Sequence, residues 1–470
     1  MAHSIGVERV FLPRRGNVRS ERVVVGESSS PIRCCCFRVL RVCLGSGFWC
    51  FWFFGFWGFL VMANFVNVGN VNTRLDSVND VSSVLGRALA DDTMLIRMFG
   101  DIDSGFVNPG VTGGSTVLFK TSAEMLSGAT EFSYGIHNTP IVRDLCAAVS
   151  LLDESEFSML TPSGLSALTS VVVALVKPGD HVLIVDTAYE PLREFCCWYL
   201  ERLGVSFDFY NPADDQSLKC LLRDSTRLVH LESPGSGTFE MQDVKAICDY
   251  VHNRNPECFV SMDNTWATPL LFKPIAHGVD LSITALTKHA AGASDLMMGA
   301  ISTNKRASGV MRHYKVVSGM CGSDHCSYSV LKALKSLSVR MVHHHMCALT
   351  IAKFLETVSG VIKVLCPALP SFSCYRLWKR DFSLTNSILS FVLDCSEGAK
   401  RLQLAKRFLD SLKVFGLGWS WGGYKSLAAP VMLAHRAFAP DFGGPVLRLH
   451  IGLECLDDLI WDLEKAFKSL

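Results

Sequence analysis

A lysine lying just past a buried strand is poorly solvated. Its ammonium is destabilised, and the neutral amine becomes available as a nucleophile toward an aldehyde. Lys288 has that position in VDLSITALTKHAAGASDLMMG (279–299), where Val279, Leu281 and Ile283 alternate with polar residues before small residues break the run. A second apolar strand, in FVSMDNTWATPLLFKP (259–274), ends directly in a carboxylate, Asp263. Two other places can hold anions. MLTPSGLSALTSVVVALV (159–176) has a polar, glycine-containing start followed by a helical apolar pattern, and free N–H groups at a helix start suit a phosphate. Arg448 stands between strand-like Leu447 and Leu449. A buried guanidinium needs an anionic partner, and a carboxylate matches its fork. Taken singly, the lysine reads as an ordinary strand end and the glycine as part of a helix cap.

The elements that must position these groups follow an α/β rhythm. Strand patterns at 180–186, 227–232, 259–263 and 279–283 are separated by helical segments. That spacing predicts a mainly parallel sheet with helices on both faces, with ligands gathered at the strands' carboxyl ends. From about Leu331 the chain reads as helical, LKALKSLSVRMVHHHMCALTIAKFLETV. His343, His344 and His345 are consecutive there, so they point to different sides of the helix and cannot chelate one metal together. IGLECLDDLIWDLEKAF (451–467) reads as an amphipathic terminal helix. The expected organisation is an atypical extension at 1–61, an N-terminal arm at 62–138, a large domain at 139–330 and a smaller α+β domain at 331–470.

A chain of 470 residues with 49% hydrophobic content buries a large core. Its net charge of +1 points to neither a nucleic-acid groove nor a polyacidic partner. The 18 cysteines form no CxxC pair and show no zinc-ligand spacing, so no metal is expected and a reducing, cytoplasmic compartment fits them best. Residues 42–63 differ from the rest. They carry no charge, are crowded with Phe and Trp, and match the roughly 20 residues that span a bilayer. Read literally this is a membrane anchor or an overlong signal sequence. The favoured reading is that translation starts at Met62 and that 1–61 is upstream sequence.

Together the segments around Asp263 and Lys288 resemble the Cys/Met-metabolism family of pyridoxal-phosphate (PLP) enzymes, and within it the bacterial cystathionine β-lyases. The likeness covers roughly 107–470 and is carried at separated places: ESPGS (232–236) and WSWGGYKSLAAP (419–430), both in the β-lyase form, with TAYEP (187–191) and FSYGIHNTP (132–140). It implies an aspartate-aminotransferase-like fold. Lys288 would bond the cofactor aldehyde, Asp263 would pair with the pyridine nitrogen and Tyr189 would stack on the ring. The amides of Gly164 and Leu165, with Thr287, would hold the phosphate. Tyr134 would reach the phosphate across a dimer, following an arm at 107–121 that crosses to a neighbour. Arg448 would bind the substrate carboxylate, with Ser420 and Trp421 bordering it. The sequence departs from the family at Ile136, where an arginine is usual and His137 follows, at His289 and Ala293 near the lysine, and at Trp419 in place of a tyrosine. Isoleucine donates no hydrogen bond to phosphate, so weaker cofactor retention is expected.

The activity implied is β-elimination of L-cystathionine to homocysteine, pyruvate and ammonia, a transsulfuration step in methionine biosynthesis, by a cytoplasmic homodimer or homotetramer. Another PLP-dependent C–S lyase activity, alanine racemisation on the same scaffold, and a catalytically impaired family member are the alternatives. A γ-acting relative fits ESPGS and WSWGGY less well.

Overall fold

The computed structural model describes residues 43–44, 47–48, 90–98 and 105–470. Two compact units divide the chain, 1–74 and 75–470. In the first, β1 (Cys43–Leu44) and β2 (Gly47–Phe48) pair antiparallel. Otherwise the hydrophobic stretch 42–63, and with it the start expected at Met62, lies outside the described residues. Among the described residues no helix is long and apolar enough to cross a membrane.

The second unit holds two sheets. The larger is built from β3 (Phe157–Thr161), β4 (His181–Val185), β5 (Ser206–Tyr210), β6 (Thr226–Glu232), β7 (Phe259–Asp263), β8 (Leu281–Thr284) and β9 (Gly299–Thr303). Its order is β3-β9-β8-β7-β6-β4-β5. β9 runs antiparallel to both neighbours and the remaining pairs are parallel. Every residue of β4, β7 and β8 is buried, as happens when helices cover both faces of a sheet. The alternation at 279–283 therefore does not mark a solvated face. Its polar members, Asp280 and Ser282, are buried too, and Asp280 accepts hydrogen bonds from Asn304, Arg306 and the Val260 amide.

The smaller sheet comprises β10 (Val361–Leu365), β11 (Ile388–Leu393), β12 (Gly416–Leu417), β13 (Leu427–Pro430) and β14 (Val446–His450). Its order is β10-β11-β14-β13-β12, antiparallel except for the β12–β13 pair. The helical stretch expected from Leu331 is two helices, Asp324–Leu334 and Leu337–Thr357, broken at Lys335 and Ser336. The three consecutive histidines face different neighbours, as helical geometry requires. His344 Nδ1 bonds the Ile451 carbonyl at 2.9 Å, His345 Nδ1 accepts the Thr385 amide at 3.1 Å, and His343 meets Cys347 Sγ at 3.5 Å.

A buried ionic clamp ties the segment between β13 and β14 to the end of β4. Asp186, fully buried, meets Arg193 and Arg436, each at 3.1 Å. It also accepts the amides of Ala437 and Phe438 at 2.9 and 3.0 Å. Arg436 continues to Thr238 at 2.7 Å and Glu240 at 3.3 Å. With four donors on one carboxylate, the lone pairs that burial strips of water are re-satisfied.

Candidate active site

Beyond β8 the chain leaves the sheet and returns as β9, and the connection is closed on itself. The Thr287 amide and hydroxyl both donate to the Met298 carbonyl at 3.1 Å, and the Met298 amide donates back to the Thr287 hydroxyl at 3.0 Å. Lys288 is therefore presented from a fixed loop. Its Nζ donates to Ser420 Oγ at 3.1 Å and stands 5.2 Å from the Trp421 ring centroid. Burial, then the Arg448 guanidinium, lowers the amine to about 8, while Asp263 opposes them. The sequence expectation for this lysine thus has a physical cause, chiefly desolvation.

Asp263 ends β7 beside Glu232, which ends β6; the two are direct partners across the parallel pair. Asp263 accepts the Thr265 amide at 3.0 Å, and burial raises its carboxyl above the ordinary value. Glu232 is raised further, by burial and then by the neighbouring Asp263 charge. Glu232 is the residue that motif reading passed over. One oxygen accepts the Tyr189 amide at 2.7 Å and the other lies 2.6 Å from Ser236 Oγ. Glu232 thereby holds the backbone from which the Tyr189 ring projects. The available signal was a glutamate closing a buried strand immediately before Ser-Pro-Gly. Tyr189 keeps 44% of its surface exposed, a flat face open to a ligand, and burial with the Asp263 and Glu232 charges raises its phenol.

Arg448 lies on β14. One guanidinium nitrogen donates to the carbonyls of Trp419 at 2.6 Å and Ser420 at 3.3 Å. No carboxylate among the described residues forms an ion pair with it, and burial lowers it to about 10. A guanidinium held by carbonyls alone retains capacity for an external anion. Helix Gly164–Leu175 begins with a capping box in which the Ser163 hydroxyl accepts the Ser166 amide at 3.1 Å. Gly164 and Leu165 then supply the first two helical N–H groups. A Cβ on Gly164 would fall 2.5 Å from the Ala285 Cβ, so the helix start is seated directly on the lysine loop.

The structure thus brings Lys288, Asp263, Tyr189, Arg448, Ser420 and Trp421 together, with Gly164 and Leu165 at the edge. Tyr134 is not joined to this group within the chain. It is 48% exposed, bridges to Thr116, and its ring meets His137 edge-on at 6.3 Å. Ile136 and His137 line a separate surface cavity with Arg312 and Lys315. The Thr287 hydroxyl is committed to Met298 on both sides, so a bond to phosphate would require one of those to open. Among the described residues no cluster could hold a metal ion.

These groups fit a cofactor with an aldehyde, a basic ring nitrogen and a phosphate. A desolvated amine meets the first, a buried carboxylate the second and free helix-start amides the third. Fold and site together define a PLP-dependent enzyme of fold type I. The chain belongs to the Cys/Met metabolism PLP-dependent enzyme family, whose family model matches residues 92–468, and it is a carbon–sulfur lyase of that family. A Rhizobium johnstonii protein provisionally named a cystathionine beta-lyase is 44% identical, over 78% of this chain and 92% of its own length. Cystathionine beta-lyase MetC of Escherichia coli is 36% identical, over 78% and 94%. The L-alanine/L-glutamate racemase of Wolbachia pipientis is 35% identical, over 80% and 95%. The crystal structure of metB from Corynebacterium glutamicum shares the fold at a TM-score of 0.74 and 24% identity, over 81% of this chain and 98% of that one.

Proposed function

We propose that this protein cleaves L-cystathionine by β-elimination, giving homocysteine, pyruvate and ammonia with the uptake of one water. The observation that carries the reading is the pairing of a desolvated Lys288 amine with a neighbouring Arg448 that has no carboxylate partner among the described residues. When bound, PLP supplies an electron sink for the carbanion formed beside the substrate carboxylate.

The chain's own groups divide the remaining work. Arg448 holds the carboxylate, which fixes the α-carbon relative to the amine. Lys288, as the free base, accepts the α-proton, and Ser420 Oγ, 3.1 Å from Nζ, fixes the direction from which it is taken. Asp263 would pair with the cofactor's ring nitrogen and favour its protonated form. Tyr189, whose amide is held by Glu232, would stack on the cofactor ring. Departure of the sulfur as thiolate yields homocysteine. The other half hydrolyses to pyruvate and ammonia.

The E. coli relative supports this substrate, and the β-lyase form of 232–236 and 419–430 agrees with it. The Wolbachia relative motivates a second reading, racemisation of a small amino acid, because that reaction begins with the same proton removal and needs the same residues. The reading includes a cytoplasmic homodimer or homotetramer in which Tyr134 completes a neighbour's site, and a place in methionine biosynthesis. Thiol release from L-cystathionine by the purified chain with added PLP, beside Lys288→Ala, is the test. Release that disappears in the variant is expected. No thiol from wild type, with inversion of L-alanine instead, would transfer the assignment to racemisation.

A further inference from the structure

His289 follows Lys288 in the chain and is fully buried, with its ring centroid 5.4 Å from Trp421 and 5.2 Å from His344. Its Nε2 lies 3.2 Å from Ser387 Oγ, and Ser387 Oγ lies 2.9 Å from His450 Nδ1. His450 Nε2 is 3.0 Å from the Gly423 carbonyl. Proton bookkeeping fixes the direction of this chain. A carbonyl only accepts, so His450 carries its proton on Nε2, and its Nδ1 lone pair accepts the Ser387 hydroxyl and the Gly422 amide at 3.4 Å. Ser387, having given its proton, accepts one from His289 Nε2. The remaining His289 nitrogen, Nδ1, is buried with no hydrogen-bond partner among the described residues, and in this assignment it carries a lone pair and no proton.

The chain ends on the turn that carries Ser420 and Trp421, the two groups lying against the Lys288 amine. That turn also presses on the lysine's own backbone. Gly422 has φ +85°, and a Cβ there would lie 2.7 Å from the His289 nitrogen and 2.9 Å from the Lys288 carbonyl carbon. Arg340 holds the His289 carbonyl from the other side at 2.6 Å. A closed circuit results: Lys288 amine to Ser420, along the turn to Gly423, through His450 and Ser387, and back to His289.

We infer that His289 is a positioning residue for Lys288, holding through Ser387 and His450 the turn that places Ser420 and Trp421 against the amine. The plainer possibility is that the ring only fills space beside Trp421. Burial, with His344, His450, Arg340 and Lys288 nearby, holds the His289 ring well below its ordinary value. The circuit therefore stays neutral across the working range and acts by geometry.

The inference rests on the lyase reading only for turnover, so its main readout is independent of activity. In cofactor-free protein, the pH dependence of Lys288 acylation, read by peptide mass spectrometry, reports the amine. His289→Phe keeps the ring and loses the Nε2–H. His289→Gln keeps a donor of similar reach and loses the ring. Ser387→Ala removes the middle of the chain. The Phe and Ala variants are expected to let water reach the amine and raise its midpoint by about half a unit or more. They should also lower kcat by about tenfold with KM little changed, while Gln stays near wild type. An altered Gln variant beside an unaltered Phe variant would overturn the inference in favour of space filling, as would no shift in any variant. If His289→Phe does not fold, Ser387→Ala decides alone, and an unshifted midpoint overturns the inference. A shifted amine in a chain that releases no thiol would sustain the circuit and defeat the lyase reading.

Discussion

Glu232 and Asp263 end adjacent parallel strands as direct partners, so two buried carboxylates share one small volume. Two charges that close cannot both be held at low cost. Asp263 has the Thr265 amide and the Lys288 charge to stabilise its ionised form, and Glu232, although it accepts from Ser236 and the Tyr189 amide, is pushed up further than Asp263 by burial and the Asp263 charge. Its oxygens accept the Ser236 hydroxyl at 2.6 Å and the Tyr189 amide at 2.7 Å. Glutamine keeps a carbonyl for the Tyr189 amide, and its NH2 can donate to the Ser236 oxygen once that hydroxyl turns.

Glu232→Gln should therefore match wild type in PLP affinity to within about twofold. Glu232→Ala, which leaves the Tyr189 amide unpaired, should lose about 1–3 kcal/mol. Fluorescence titration of cofactor-free protein with PLP measures both. Equal damage from Gln and Ala would mean that a charged carboxylate is needed there.

Arg448→Lys keeps the charge and loses the fork. The expected result is a KM for the amino-acid substrate raised about 10- to 100-fold, with a smaller change in kcat, since a charge-assisted bond contributes about 1.5–3 kcal/mol. Arg448→Leu also removes a positive neighbour of Lys288. The ammonium is then less disfavoured, and its pKa should move up from about 8. Steady-state kinetics and the acylation profile check the two halves, and a fall in the amine's midpoint would contradict the second.

The rate at which PLP attaches to cofactor-free protein should follow the neutral amine. Lys288 is lowered to about 8, so the rate should climb as pH rises through that value and level off above it. An ordinary lysine would still be climbing near 10, at its usual pKa of about 10.4. Stopped-flow absorbance at fixed PLP gives the profile, and a midpoint near the ordinary value would remove the physical basis for choosing this lysine.

Asp186→Ala should be the most destabilising of these substitutions. It takes the carboxylate from Arg193, whose side chain is 6% exposed, leaves Arg436, 3% exposed, with Glu240 as its remaining carboxylate, and frees the amides of Ala437 and Phe438. Removing one partner of a buried pair typically costs about 3–5 kcal/mol. Urea unfolding followed by intrinsic fluorescence would show it, and a loss under about 1 kcal/mol would mean that water takes the place of the lost carboxylate.

The groups readable in the sequence were those whose position is set by local pattern. Lys288 and Asp263 follow apolar runs that had to be central strands, and Arg448 lies inside one. The unread groups are defined by distant partners. Glu232 meets the Tyr189 amide 43 positions away, and His289 meets Ser387 98 positions away. No periodicity reports such contacts. Periodicity marked 279–283 as a strand, and the structure adds that its polar members are buried as well. The break at Lys335–Ser336 escaped because it holds neither proline nor glycine. Tyr134 and Thr287 were placed by likeness to a family, and within the single chain their side chains make other contacts.

The position of β9 between β3 and β8 joins two distant parts of the chain. β8 and β9 are neighbours in sequence and can pair early, closing the lysine loop. β3 pairs with β9 across a long separation, Phe157 against Thr303, and loop-closure entropy makes such contacts late. Helix Gly164–Leu175 follows β3 directly and is seated on Ala285. A change that loosens the β3–β9 pairing would therefore disturb the start of that helix and the loop that carries Lys288 together.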